Sequence, residues 1–272
     1  MNSIEKSWRG LIGFLILPAV LLGGSEVLAQ QWVPPEKPEP GLIRNEADTD
    51  IEEGRLGLAA LKYLWYHENA LRYEPSLAGV RLSYALNDWR ELADKYPPAL
   101  QDMVLVRDRA EESVRLSDDD FSAFQDFVAL NDVLDDDGRT IALFKWLDQN
   151  NRHFARSVYI VAQDALVDAG ELPLCEKYIV GNNSFDSVLN AHDEYMQWME
   201  RRYDGKIDPR LIDAQQMILS RRVAYIVAIL VNRGRTSEAN EIASRVLDSL
   251  TDEQHRIQIS DALEGIPPQR LR

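Results

Sequence analysis

Residues 224–247 read AYIVAILVNRGRTSEANEIASRVL. An apolar stretch of helical character runs from Ala224 to Val231 and meets Asn232-Arg233-Gly234-Arg235. A second amphipathic stretch follows at once, opened by Thr236, with Ala239, Ile242, Ala243, Val246 and Leu250 at steps of three and four. Two helices separated by a glycine turn make a hairpin. Whether it is one unit of a stacked array or part of a compact bundle depends on the rest of the chain.

Outward from this hairpin, helical signals continue with almost no strand signal. Leu82, Leu86, Trp89, Ala93 and Tyr96 share one helical face, and Pro97-Pro98 ends that helix and starts the next. Ser117-Asp118-Asp119-Asp120 gives a negatively charged start to a helix bearing Phe121, Phe124 and Phe127. Asp208-Pro209 is a further cap and first-turn pair, while Thr251 with Gln254 opens a last, polar helix. The reading is all-α, with roughly ten or eleven helices in antiparallel hairpins joined by turns of about two to six residues.

A second segment compares with the first. Tyr-Ile-Val-Ala begins at Tyr159 and again at Tyr225, 66 residues on, and Gly170 and Gly234 stand 64 apart. With Gly234, Glu238-Ala239 and Val246 in one copy and Gly170 and Cys175 in the other, the region from about 155 to 250 resembles the tetratricopeptide repeat, a helix pair per ~34 residues. The pattern is degenerate: Gln163 and Val227 stand where the family has a small residue, Leu166 and Leu230 where it has an aromatic one, and Ala243 replaces a bulky aromatic. The resemblance implies a right-handed α-solenoid, with a compact helical bundle as the alternative. It also implies a concave surface lined by the first helix of each pair, which puts Asp164, Asp168, Arg221 and Asn232 toward a protein or peptide ligand.

The first 29 residues carry Lys6 and Arg9 before an apolar run from Leu11 to Leu22, then Gly23-Gly24-Ser25 and Val27-Leu28-Ala29. This is the layout of a secretory signal, shorter than the ~20 residues that span a bilayer. Kept uncleaved, it would serve as an anchor. The expected location is the periplasm or the exterior of a bacterial envelope. Residues 30–48, rich in proline and acid, read as a tether, and Thr49 with Glu52 forms a capping box that opens the helical domain 49–272. Loss of residues 1–29 leaves the net charge of −15 unchanged, because Glu5 and Glu26 cancel Lys6 and Arg9. That charge repels nucleic acid and anionic lipid. The lone Cys175 lies in an apolar pattern and reads as a buried core residue.

Catalytic signatures fail one by one. His67-Glu68 starts like a zinc-protease helix, but Leu71 stands where a second histidine is needed. Asp135-Asp136-Asp137-Gly138 is no calcium loop, since the register puts Phe144 at the bidentate carboxylate place. His192 reads as a core histidine; Trp65 and Trp89 read as core, with Tyr63 and Tyr66 partly exposed. The expectation is therefore a non-enzymatic scaffold without cofactor or metal, binding a protein or peptide, with self-association as a further possibility. The alternative is a small helical enzyme using a carboxylate pair such as Glu68 and Glu194.

Overall fold

Proline just inside helix starts and a left-handed residue just past helix ends punctuate this chain. A computed structural model describes residues 32–179 and 182–270, and it contains thirteen α-helices and no strand among the described residues. The protein is all-α. Proline sits in the first turn of α1 (Pro40–Glu52), α5 (Pro97–Leu116), α9 (Leu172–Tyr178) and α11 (Pro209–Asn232), where its missing N–H leaves no bond unmade. Side-chain caps open three more: Asp120 accepts from Ala123 N for α6 (Phe121–Val133), Asn151 from Phe154 N for α8 (Arg152–Asp168), and Asp252 from Gln254 N for α13 (Glu253–Leu263). The others are α2 (Leu56–Tyr73), α3 (Ala78–Arg81), α4 (Tyr84–Lys95), α7 (Asp137–Asn150), α10 (Asn182–Arg202) and α12 (Thr236–Leu247).

Several boundaries differ from the expected ones. The first helix begins at Pro40, so Thr49 lies in its last turn and gives its hydroxyl to Asn45 O. Pro40, Ile43 and Ala47 are buried, which places residues 40–48 in the packed domain instead of the tether. Pro40 outcompetes the Thr49 box because a start there gives the apolar 40–47 stripe a surface to cover. Thr236 is the first residue of α12 and not its cap, and Thr251 spends its hydroxyl on Gln216 while Asp252 caps α13. The expected signal at 1–29 lies outside the described residues.

Packing is dominated by helices adjacent in the chain, α1 on α2, α5 on α6, α7 on α8 and α11 on α12, with α13 returning against α11. Two main apolar clusters result, one built from α1, α2, α4 and α5, the other from the end of α5 through α13. In the second, every residue of α11 from Val223 to Leu230 is buried, so this helix is covered on all sides. That explains why the opening stretch shows no polar face: α9, α10, α12 and α13 leave none exposed to water there. The helix is long and apolar enough to cross a membrane, yet 56% of its apolar window is buried inside the fold.

Aromatic exposure on α2 reverses the sequence expectation. Tyr63 and Tyr66 are buried at 1%, on the stripe Ala59, Tyr63, Tyr66 and Ala70, where alanines make room for the rings. The Tyr63 hydroxyl donates to Asp48. Trp65 falls off that stripe and stacks on Tyr73 at the flank, with Trp32 edge-on at 6.1 Å. Trp89 is buried as expected, whereas His192 is only half-buried.

Beneath α2 lies a polar knot. Arg81, itself buried, donates to His67 O at 3.2 Å and to His67 Nε2 at 3.3 Å, and it ion-pairs with Asp126. Because arginine only donates, Nε2 must accept, so the imidazole proton sits on Nδ1, which is buried without a partner. Burial, helped by the charges of Arg81 and Arg109, holds the His67 pKa down at about 3. The imidazole therefore stays neutral in the fold while the unfolded chain takes up a proton near pH 6.5. Stability from this group is complete above pH 6.5 and is lost as the pH falls toward 3. Urea unfolding followed from pH 7 to pH 4 should show a component of up to ~1.4 kcal/mol per pH unit that disappears in His67→Gln. An unchanged slope in the variant would mean that other groups carry the acid sensitivity. Ile229→Ala in the covered helix should cost about 2–5 kcal/mol in the same assay, against under ~0.5 kcal/mol for Ile257→Ala at an exposed position. Equal losses would contradict the central place of α11.

Candidate functional site

After α13 the chain reads Gly265-Ile-Pro-Pro-Gln-Arg270. Gly265 has φ +82°, and a Cβ there would come within 3.2 Å of Asn232 Nδ2, so only glycine makes this turn unstrained. Pro267 and Pro268 fix an extended backbone that offers carbonyls and needs no N–H partner. The segment then runs across a face made by α6, α7, α8 and α11.

Its carbonyls are read one after another. Asn232 Nδ2 donates to Gly265 O at 2.7 Å, the Tyr225 hydroxyl donates to Pro268 O at 3.4 Å, and the Arg221 guanidinium donates to Gln269 O. Burial, with Asp164 adding to it, raises the Tyr225 hydroxyl above its ordinary range and keeps it a donor. Arg221 is itself held by Asp164 at 2.7 Å and lies over the Tyr225 ring. At the far end Arg270 is only 10% exposed, with Asp137 at 2.5 Å and Asp132 at 3.3 Å. Burial works against the Arg270 charge, but the two aspartates outweigh it and raise its pKa.

The four residues expected to face a ligand are thus brought onto one face. Asp164 and Arg221 pair with each other, Asn232 and Arg221 hold the 265–270 segment, and Asp168 stands exposed beside them. Burial raises the Asp168 carboxyl, Arg270 opposes that, and the carboxylates of Asp164 and Asp137 add to it. Asp132, Asp137, Tyr225 and Arg270 complete the site; the sequence reading placed none of them there, taking Asp137 as part of an acidic turn and Tyr225 as part of the recurring tetrapeptide. The signal available was the string Gly-Ile-Pro-Pro-Gln-Arg, an extended strap ending in a cation.

Other candidates fare differently. Glu68 borders a cleft of about 430 Å³ with His67, Arg81 and Asp126, but it is ion-paired to Arg109 at 2.6 Å. Glu194 stands exposed on α10, which packs on α11 and α12, away from α2, so the two carboxylates form no pair. Among the described residues no group of three or more metal-ligating side chains gathers. Cys175 is buried, and burial pushes its thiol up to about 11. The chain matches no protein-family model, no curated protein and no solved structure.

Removing the cation should release the strap. Arg270→Ala should accelerate amide hydrogen exchange at residues 266–270 by at least about tenfold and cost roughly 1–2 kcal/mol. That figure is less than for a fully buried pair, because Asp132 and Asp137 remain 37% and 31% exposed. Unchanged protection would show that the carbonyl contacts alone hold the segment.

Proposed function

We propose that this chain is an exported, non-enzymatic scaffold of stacked helical hairpins that captures an extended, arginine-bearing segment of a partner protein. The groove is the face its own residues 265–270 occupy. The observation that carries the reading is the Arg270 guanidinium, nine-tenths buried between Asp132 and Asp137, beyond three donors aimed at backbone carbonyls. Carbonyl readout accepts any extended backbone, and the aspartate pair selects the cation.

The stacked-hairpin part of the reading rests on recurring turns. Left-handed residues close helices at Asp135 and Gly170, 170 − 135 = 35 apart, and at Gly234 and Gly265, 265 − 234 = 31 apart. At each of the four, the next amide reaches back five residues, as in Arg235 N to Leu230 O and Glu171 N to Leu166 O. Contacts of α6 with α8 and of α11 with α13 join helices two apart in the chain, and α6, α8 and α11, with Asp137 at the start of α7, line the groove. Arg270 uses only Oδ2 of Asp137 and leaves the buried Oδ1 without a partner, so a bidentate guanidinium from another segment gains a bond the strap does not make.

The test uses the full chain carrying Arg270→Ala and a labelled peptide EGIPPQR, the sequence of residues 264–270. Fluorescence anisotropy should report a Kd on the order of 10–100 μM, weaker by tenfold or more for the unaltered chain, whose own strap competes. Binding should weaken with salt and vanish for the Asp132→Asn/Asp137→Asn pair. No saturation by ~1 mM peptide in the Arg270→Ala protein would remove the reading.

A further inference from the structure

The opposite side of α8 and α11 holds a cavity of about 550 Å³, roofed by the start of α10 and closed by the end of α9. Its chemistry differs from the rest of this acidic molecule. Among the described residues no aspartate or glutamate lines it, while Arg156 and Arg222 stand at its rim. Neither arginine has an ion pair or hydrogen bond to any described residue, although most guanidiniums of the chain are held by carboxylates. Two unneutralised cations over one opening attract an anion.

The wall formed by α8, α9 and α11 is largely apolar, with Gln163 as a polar group, while Asn183, Ser184 and Ser187 of α10 bring further polar groups. Ile160, Val188 and Ile226 supply aliphatic wall, and the parallel rings of Tyr159 and Tyr178, 5.3 Å apart, supply a flat aromatic one. The Tyr178 hydroxyl donates to Asp148 at 2.6 Å, which fixes its ring. Tyr159 is buried, and its hydroxyl finds no oxygen or nitrogen partner, only the nearby Cys175 thiol. Gln163 is 3% exposed, lines the cavity, and has no hydrogen-bond partner among the described residues. Its amide is reachable from the cavity and offers both a donor and an acceptor to a group bound there. Gln163 is also the residue that stands where the repeat pattern has a small side chain.

We infer that this cavity binds a small amphipathic organic acid. Its anionic headgroup lies between Arg156 and Arg222. Its apolar or aromatic body lies along the tyrosine wall, with a polar atom meeting Gln163. Consecutive helix residues diverge by about 100°, so Gln163 and Arg222 face the cavity while Asp164 and Arg221 face the groove. The inference is thus independent of the peptide reading.

The probe is 8-anilinonaphthalene-1-sulfonate, an aromatic anion, titrated into the full folded chain. Fluorescence should rise to saturation at one site per chain. The signal should be displaced by 3-phenylpropionate at concentrations at least tenfold below those needed for the neutral 3-phenylpropanol or for inorganic phosphate. Arg156→Ala/Arg222→Ala should weaken the probe tenfold or more with a melting temperature changed by no more than about 2 °C, since neither side chain makes an ion pair or hydrogen bond with a described residue. Gln163→Leu should cost severalfold in 3-phenylpropionate affinity. Equal displacement by the acid and the alcohol, displacement by phosphate alone, affinity unchanged in the double variant, or absence of saturable binding would each overturn the assignment.

Discussion

The all-round burial of α11 between Val223 and Leu230 is the constraint on which the second half of the molecule depends. A helix with no polar face has to be enclosed, and α9, α10, α12 and α13 enclose it, each offering only a narrow stripe in return. Fully buried isoleucine, valine and leucine side chains contribute roughly 1.5–3 kcal/mol each, so this one helix outweighs any cap or surface ion pair nearby. Once α13 is pinned against α11, the glycine turn at Gly265 has a fixed origin. Asn232, one turn beyond Ala228 on α11, is then in place to take the Gly265 carbonyl.

Charge is organised around arginines that each serve two carboxylates. Arg270 joins Asp132 and Asp137, Arg139 joins Asp108 and Glu111, and Arg107 joins Asp108 and Asp136. With an acid excess of 15, sharing each cation is how the helix starts at Asp137 and the turn before it are kept from repelling one another. Pairs at the surface add little stability, whereas those with a buried guanidinium fix which elements meet. Arg270 and Arg81 belong to the second kind, at 10% and 5% exposure of their side chains.

What the sequence made legible was local chemistry. Asp120 and Asp208 cap the helices they were expected to open, and Gly170 and Gly234 take the left-handed turn, because these effects involve neighbours within a few residues. Faces were harder to read. Tyr63 and Tyr66 exchanged places with Trp65 because the alanines of α2 decide which stripe packs closely, and periodicity alone does not weigh side-chain volume. The start of α1 was misplaced because Pro40 and Thr49 both carry valid start signals, and the choice between them is made by what Ile43 and Ala47 touch. The strap stayed invisible for a plainer reason: its partners lie between 33 and 133 residues away along the chain. That Gln163 lines a cavity was equally hidden, because the cavity is assembled from α8, α9, α10 and α11.

The helices α8 and α11 therefore form a wall with two unlike faces. Toward the strap they present Asp164, Asp168 and Tyr225, with Arg221 already engaged by Asp164, so the face is net acidic. Toward the cavity they present Arg156 and Arg222, with no carboxylate among the described residues that line it, so that face is cationic. Neighbouring residues, Gln163 and Asp164 or Arg221 and Arg222, carry the opposite preferences, and the helical turn between them keeps the two potentials apart.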